Sequence, residues 1–129
     1  MRKIVLVTGS RKWTNRSLIE ARLKHHLKGK PEVVLMHGAC SGADTIADEI
    51  GRSLGYAVIP MPANWEKQGD LAGHIRNTVM LDAVLAMQKC GWSVAVEAFP
   101  RPDSKGTIHM MKIAKQAGLR PELNEEMEA

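Results

Sequence analysis

The fold can be predicted from one stretch near the start of the chain, Lys3-Ile4-Val5-Leu6-Val7-Thr8-Gly9-Ser10-Arg11. Its four consecutive apolar residues, three of them β-branched, are typical of a strand that is buried on both faces of a sheet. The hydroxyl and glycine residues that follow end this strand in a turn. We therefore predict that the chain begins with the central strand of a parallel sheet and that Arg11 lies at the carboxyl end of that strand.

The same order of an apolar run, a turn and a helical period recurs along the chain. Strands that alternate with helices form βαβ units and a parallel sheet. The predicted fold class is therefore α/β, a three-layer Rossmann-like sandwich whose central, mostly parallel sheet has four or five strands. Residues 1–123 are expected to form a single domain, and residues 124–129 an acidic, frayed tail. The predicted strands are 3–7, 33–36, 56–61, 93–99 and, at the edge, 120–123, and the later helices are 43–54, 72–89 and 107–117.

Local patterns predict how two of the helices begin and face. The first helix has two candidate caps, Asn15 and Ser17, and Ser17 with Glu20 matches a capping box. The helix predicted at 72–89 carries an i+4 ladder of apolar residues, a pattern typical of one helix face. The ladder consists of Ile75, Val79, Ala83 and Met87.

The composition is that of a globular protein with a mildly basic surface. The 129 residues include 18 basic and 14 acidic ones, a net charge of +4 that is compatible with a phosphate-bearing partner. The apolar runs are far shorter than the roughly 20 residues of a membrane span, and no secretory signal is visible at the start, so we expect a cytoplasmic protein. Cys40 and Cys90 have no metal-like spacing and are expected to be reduced thiols.

Four polar or glycine-rich loops follow predicted strands. Ligands of parallel sheets bind outside the carboxyl ends of the strands, so we expect these loops to form one site. They are Thr8–Arg11, His37–Asp44, Pro62–Asn77 and Ser104–Thr107. None matches the P-loop or the GxGxxG pattern, which argues against a standard triphosphatase or dinucleotide dehydrogenase. Asn77 is expected to hold neighbouring loops together by hydrogen bonds.

The residues of these loops favour the recognition of phosphate. Arg76 and Lys105 are predicted to pair with a phosphate group, and the hydroxyl of Thr107 and the backbone N–H groups of residues 38–42 are predicted to donate to it. Asp44 has two open interpretations, because a carboxylate in a first helical turn complements the helix dipole and also accepts hydrogen bonds from ribose hydroxyls.

Aromatic and titratable residues complete the candidate site. Trp65 and Trp13 are candidates for stacking on a base, whereas Trp92 is expected in the core. His37 and Glu97 are the candidates for acid or base chemistry. No metal-ligand cluster or cofactor motif is recognisable, so neither a metal nor a cofactor is predicted, and the sequence supports binding better than catalysis.

The four loop sequences, taken in order, resemble the motifs of the SLOG superfamily over about residues 3–119. That superfamily joins the Smf/DprA DNA-processing proteins and the LOG phosphoribohydrolases, and this sequence is most similar to its small, single-domain YspA-like branch. The resemblance implies a Rossmann-like fold that binds a nucleotide or a nucleotide derivative, for instance as a sensor. Together with Trp65 and Lys105, the residues expected around the ligand are Gly9, Ser10, Arg11, Gly38, Ala39, Ser41, Gly42, Asp44, Arg76, Asn77, Gly106 and Thr107.

The leading expectation is a nucleoside monophosphate or an ADP-ribose-like ligand, with two alternatives. LOG enzymes carry a glycine pair before Gly-Thr and a catalytic Glu three residues after the Thr. Arg101-Pro102-Asp103 and Met110 occupy those positions here. A LOG-like N-glycosidase would therefore need His37 or Glu97 as a substitute acid. The second alternative is DprA-like binding of single-stranded DNA, although the chain lacks a dense basic run.

A homodimer is also compatible with the sequence, since related domains often pair through helices. Four methionines on the last two predicted helices would offer adaptable apolar surface for such a contact. They are Met80, Met87, Met110 and Met111. Methionine also fills cores, so these residues have an equally good interpretation as interior side chains.

Overall fold

A computed structural model describes residues 1–126, and its centre is a five-stranded parallel sheet. The strands are β1 (Arg2–Gly9), β2 (Glu32–His37), β3 (Ala57–Pro60), β4 (Ser93–Phe99) and β5 (Glu122–Leu123), in the spatial order β3-β2-β1-β4-β5. The helices are α1 (Arg16–His25), α2 (Ala43–Ser53), α3 (Trp65–Gln68), α4 (Ala72–Lys89) and α5 (Lys105–Gln116). The predicted α/β class and Rossmann-like sandwich are confirmed. The loop after β3, predicted as irregular, contains the short helix α3 and a 3-10 turn.

β1 lies in the middle of the sheet because both of its faces are apolar. Ile4 and Leu6 pack in the core that α4 and α5 cover, whereas Val5 and Val7 pack in the core under α1 and α2. All four side chains are fully buried. β1 forms parallel ladders with β2 on one edge and with β4 on the other. The loops that follow these three strands therefore leave the sheet side by side.

The start of α1 resolves the choice between two caps. Asn15 is the cap, since its Oδ1 accepts a hydrogen bond from the backbone N–H of Leu18 at 3.1 Å. Ser17 lies inside the first turn, so the predicted capping box with Glu20 is not the device that begins this helix. Both candidate residues have side chains suited to capping, and the path of the chain from β1 decides which of them is the cap.

α4 has the predicted bounds, but its i+4 ladder does not lie at the centre of the buried face. Ile75 and Val79 are 38% and 47% exposed, whereas Met80, Leu81 and Val84 are the apolar side chains that α4 buries against the sheet. An apolar period alone cannot distinguish two adjacent stripes of one helix, and contact with the sheet decides between them. Within the described residues, no helix is both long and apolar enough to span a bilayer.

The methionines considered for a dimer surface are divided between the interior and its margin. Met80 and Met110 are 1% and 0% exposed and belong to the core between the sheet and the helices α4 and α5. Met87 packs against the edge of the same core. Met80 and Met110 therefore offer no surface to a partner, and the homodimer stays a prediction without support from them.

Glu97 forms a buried polar cluster on the face of the sheet that α1 covers. Its carboxylate accepts two hydrogen bonds from Arg22 at 3.0 and 2.9 Å and one from Asn124 at 2.9 Å, and it lies 2.6 Å from Nε2 of His26. Burial by itself would raise the pKa of Glu97, but these hydrogen bonds outweigh it and hold the pKa at about 2. The cluster ties together α1, β4 and the segment after β5.

The same cluster corrects the predicted boundary of the tail. Asn124 falls in the predicted frayed tail, yet it is 8% exposed, and its side-chain N–H groups donate to Glu97 and to the carbonyl of Ala98. Two residues later, Glu126 lies 3.4 Å from the guanidinium of Arg101. The packed chain therefore continues past residue 123, while residues 127–129 lie outside the described part.

Replacing Glu97 by Gln tests how much this cluster stabilises the fold. We expect Glu97→Gln to lower the free energy of unfolding at pH 7 by about 3 kcal/mol, since Arg22 and His26 lose their charged partner inside the protein. The deficit should shrink as the pH falls from the ordinary Glu pKa of 4.5 towards 2, where the wild type also loses the ionised carboxylate.

Urea unfolding of both proteins between pH 2.5 and 7 measures this difference. The matched control is Glu49→Gln, which removes an exposed ion pair with Arg16 and should cost less than about 1 kcal/mol. Equal effects of the two substitutions would contradict a stabilising role for the Glu97 cluster.

Candidate functional site

A crevice of about 390 Å³ opens at the carboxyl edge of the sheet, beside the end of β1. The strand order reverses at β1, because β2 and β4 flank it and their following helices lie on opposite faces. Crevices at such switch points are the usual ligand sites of parallel sheets. The structure brings eleven of the predicted ligand residues to its wall. They are Gly9, Ser10, Arg11, Gly38, Asp44, Trp65, Arg76, Asn77, Lys105, Gly106 and Thr107.

The backbone N–H groups of the turn between β2 and α2 are predicted to donate to a ligand, but most of them donate within the protein. The backbone N–H groups of Gly38 and Cys40 donate to Oδ2 of Asp44 at 3.1 and 3.3 Å. The N–H of Ala39 donates to Nδ1 of His37 at 2.9 Å. The backbone N–H groups of residues 38–40 therefore have acceptors inside the protein. The prediction that the N–H groups of residues 38–42 bind a phosphate is wrong for these three positions.

Ser41 and Gly42 lie outside the crevice, in a shallower groove beside the loop after β1. The N–H of Ala43 donates to the carbonyl of Ser10 at 3.0 Å, which holds the start of α2 against that loop. Gly42 has φ of +74°, and a Cβ at this position would overlap the carbonyl of Ser10. Close packing between two backbones, rather than contact with a ligand, explains this glycine.

Glycines on the crevice wall differ in what surrounds them. A Cβ at Gly9 would overlap the side chain of Ala43, and a Cβ at Gly38 would overlap the guanidinium of Arg76. Packing within the protein accounts for both. A Cβ at Gly106, by contrast, would meet no atom within 4 Å. The backbone of Gly106 is therefore open to the crevice without any neighbour that requires a glycine.

The first turn of α5 is the open helix start in the crevice. Ser104 precedes the helix, but its hydroxyl accepts from the N–H of Arg101 at 2.9 Å instead of capping α5. The N–H of Lys105 donates to the carbonyl of Asp103. Among residues 1–126, no acceptor is assigned to the N–H groups of Gly106 and Thr107. These two donors and the positive end of the helix dipole are available to an anion.

Arg76 links neighbouring loops through hydrogen bonds. Its Nη1 donates to the carbonyls of Gly38 and Met61, and its Nε donates to Oδ1 of Asn77 at 3.0 Å. Asn77 in turn donates from Nδ2 to the carbonyl of Gly106 at 3.1 Å. The pair joins the loops after β2, β3 and β4, as expected for Asn77. In the described chain no carboxylate lies within 4.0 Å of Arg76, so its charge remains available at the wall of the crevice.

The three tryptophans have three different environments. Trp65 is 47% exposed at the rim of the crevice, and the guanidinium of Arg11 lies 5.3 Å from its ring centre. Trp13 is 1% exposed and packs edge-on against Phe99, so its predicted role in stacking on a base is wrong. Trp92 packs against the core under α4, as predicted. The apolar surroundings that bury Trp13 come from strands and helices distant in sequence.

Neither predicted catalytic residue lines the crevice. Glu97 lies in the cluster under α1, and His37 lies beneath its own loop with 3% exposure. Nδ1 of His37 accepts from Ala39, which places the ring proton on Nε2, and Nε2 lies 2.6 Å from the carboxylate of Asp48. Both ring nitrogens are therefore occupied. These positions contradict the prediction that His37 or Glu97 acts as an acid or base in the crevice.

The structure adds crevice residues that the sequence reasoning missed. His74 lines the wall and stacks on His109 at 3.9 Å between ring centres, and burial lowers the pKa of His109. Lys12 pairs with Asp103 at 3.3 Å across the mouth of the crevice. These contacts join segments far apart in the sequence, and no local pattern predicts them. In the part of the chain that the structure describes, no group of three His, Cys, Asp or Glu side chains could hold a metal ion.

Asp44 is the buried carboxylate of the crevice, with 4% exposure. Burial raises its pKa above the ordinary 3.8, and the electrostatic effects of His37 and Arg76 and the hydrogen bonds from Cys40 and Gly38 reverse only part of this effect. Its Oδ1 accepts no hydrogen bond from any residue in 1–126. Asp44 thus stabilises the loop through one oxygen and leaves the other without a donor.

Two comparisons relate this chain to known proteins. The model of YAcAr, described as the YspA, cpYpsA-related SLOG family, matches residues 3–68. This match contains the loops after β1 and β2 and ends in α3. The "Gene 61 protein" of Mycobacterium phage D29 is 38% identical over 121 residues, which cover 89% of this chain and 90% of that protein. The second similarity thus extends over most of the chain.

Asp44→Asn tests the energetic consequence of the buried carboxylate. We expect the free energy of unfolding at pH 7 to rise by about 1 kcal/mol, because the net upward pKa shift means that folding destabilises the ionised carboxylate relative to the unfolded chain. The gain should be full above the raised pKa of the folded protein and should vanish below pH 3.8, where both states of the wild type are protonated.

Urea unfolding of the two proteins at pH 7 and at pH 3.5 gives both values. A variant that is less stable than the wild type at pH 7 would show that the ionised carboxylate stabilises the loop more than its burial costs.

Proposed function

Because the chain belongs to the YspA, cpYpsA-related SLOG family, we propose that its crevice binds a nucleotide or a nucleotide-derived ligand. A nucleoside monophosphate and an ADP-ribose-like compound are the ligand types that fit best. The protein acts in this proposal as a binding or sensing protein. Three features support it: the open start of α5, the free charge of Arg76 and the exposed face of Trp65.

The start of α5 is the observation that carries the proposal. Gly106 lies in the first helical turn, where glycine is a poor helix former, and Lys105 places a positive charge at the positive end of the helix dipole. Both residues therefore oppose the stability of the helix they begin. A phosphate bound to the free N–H groups of Gly106 and Thr107 explains both, since it needs close backbone approach and a positive charge nearby.

The charges around the crevice agree with an anionic ligand. Arg11, Lys12, Arg76 and Lys105 line it, together with the acidic Asp44, Asp70 and Asp103. Lys12 is paired with Asp103, and Asp44 is held by backbone amides, so Arg76 and Lys105 retain charge for a phosphate. A guanidinium that is already fixed by two carbonyls loses little further freedom when it binds an anion.

Trp65 supplies a surface for the base. Its ring is half exposed at the rim, and Arg11 covers one side of it. Stacking of a base on an aromatic ring contributes about 1–3 kcal/mol and tolerates different bases. A nucleotide whose phosphate lies at α5 would place its base towards this rim.

Binding is better supported than cleavage of the ligand. The position of the catalytic Glu of LOG enzymes is taken by Met110, which is fully buried in the core and turned away from the crevice wall. The two residues considered as substitutes, His37 and Glu97, lie elsewhere. An N-glycosidase therefore has no supporting acid among the residues that the sequence suggested.

A thermal-shift panel with AMP, ADP-ribose, NAD, cyclic nucleotides and a short DNA oligonucleotide tests the proposal. A ligand at 100 times its dissociation constant should stabilise the protein by about 2.7 kcal/mol, which raises Tm by about 10 °C for a domain of this size. Lys105→Ala should weaken binding about tenfold, whereas Lys112→Ala, the matched control further along α5, should not. A response to the oligonucleotide alone, lost as salt rises, would favour DNA binding instead.

Gly106→Ala should have opposite effects on stability and on binding. The free energy of unfolding should rise by about 0.5–1 kcal/mol, because alanine is the better helix former and its Cβ meets no atom. Affinity for the nucleotide found in the panel should fall at least tenfold, because the new methyl group lies where the phosphate approaches the backbone. Urea unfolding and calorimetric titration measure the two effects, and unchanged affinity would exclude the start of α5 as the phosphate site.

A further inference from the structure

The loop that Asp44 holds explains only one of its two carboxylate oxygens. Asp44 is the second residue of α2, yet its side chain turns back from the helix. Its Oδ2 accepts hydrogen bonds from the backbone N–H groups of Gly38 and Cys40. Its Oδ1 is buried, accepts no hydrogen bond within the described chain, and belongs to a residue that lines the crevice. A buried acceptor without a donor destabilises the free protein, and more so when it carries charge.

The chemistry of this oxygen restricts what can satisfy it. A carboxylate accepts hydrogen bonds and does not donate them when ionised, so a partner must offer a donor. A phosphate group is excluded because two negative charges would repel each other. Because this oxygen is buried in the free protein, its donor must be a small group, and the Asp44 carboxylate must turn towards the crevice to meet it. Among the groups of a nucleotide, a sugar hydroxyl fits these conditions best.

We propose that Asp44 accepts a hydrogen bond from a ribose hydroxyl of the ligand, so that the crevice prefers ribonucleotides to deoxyribonucleotides. This inference rests on the proposed binding of a nucleotide and specifies the sugar class. Asp44 becomes a specificity-determining residue of the site, and the cost of its unpartnered oxygen in the free protein is recovered when the ligand binds.

The topology places the two ends of such a ligand at suitable positions. Asp44 follows β2 and the start of α5 follows β4, and β1 lies between these two strands. Neighbouring strands are about 4.8 Å apart, so β2 and β4 lie about 10 Å from each other on either side of β1. With its phosphate at Gly106, a nucleotide would extend over the end of β1 at Gly9 and Ser10, and its ribose would come beside Asp44.

Calorimetric titration with AMP, GMP, CMP, UMP, the four 2′-deoxy counterparts and 3′-deoxy-AMP tests the inference. We expect the wild type to bind at least one ribonucleotide at least about tenfold more tightly than its deoxy analogue. The analogue lacks the hydroxyl that would donate a hydrogen bond to Asp44. Asp44→Asn keeps an amide oxygen for the N–H groups of Gly38 and Cys40 but replaces Oδ1 by an NH2 group. In this variant the preference should shrink to less than threefold.

Asp48→Asn is the matched control, since Asp48 lies one turn further along α2, contacts His37 and Arg52, and does not line the crevice. It should keep the ribose preference of the wild type. Equal affinities for ribo- and deoxyribonucleotides in the wild type would overturn the inference and leave the proposed function intact. Binding of no nucleotide at all would overturn both, and a preference that survives in Asp44→Asn would assign it to another residue.

Discussion

The position of β1, paired on both edges, fixes the sheet and the loops around it. β1 forms parallel ladders with β2 and with β4, and its apolar side chains enter both cores. A strand buried on two faces and two edges can lie only in the middle of the sheet. This position makes β1 the switch point, and it brings the loops after three strands to one crevice.

Internal hydrogen bonds shape those loops before any ligand arrives. Asp44 holds the loop after β2, and the pair Arg76 and Asn77 links this loop to the segments after β3 and β4. Much of the polar chemistry that the loops contain is thereby used inside the protein. The start of α5 differs, because within residues 1–126 the N–H groups of Gly106 and Thr107 have no acceptor and no neighbouring atom requires a glycine at position 106. A preorganised wall with one open anion site is the arrangement expected of a binding protein.

Two buried carboxylates illustrate how environment separates structural from functional groups. Glu97 has donors for both oxygens and a pKa of about 2, so it is a stable ion that ties elements together. Asp44 has donors for one oxygen only, and burial raises its pKa. The first is fully satisfied by its own chain, whereas one oxygen of the second has no donor among residues 1–126. Hydrogen-bond satisfaction thus distinguishes the two better than residue type does.

The amino-acid sequence was enough to predict the fold class, the succession of strands and helices along the chain and the loops that face the crevice, because apolar period and turn residues are local properties. The bounds of α4 and β4 and the holding role of Asn77 were predicted on this basis. The burial of Trp13, the exposure of Ile75 and Val79, and the internal hydrogen bonds of Glu97, His37 and the amides of residues 38–40 follow from the packed fold alone. Each of these depends on partners distant in the sequence, and burial and hydrogen bonding are settled only when those partners meet.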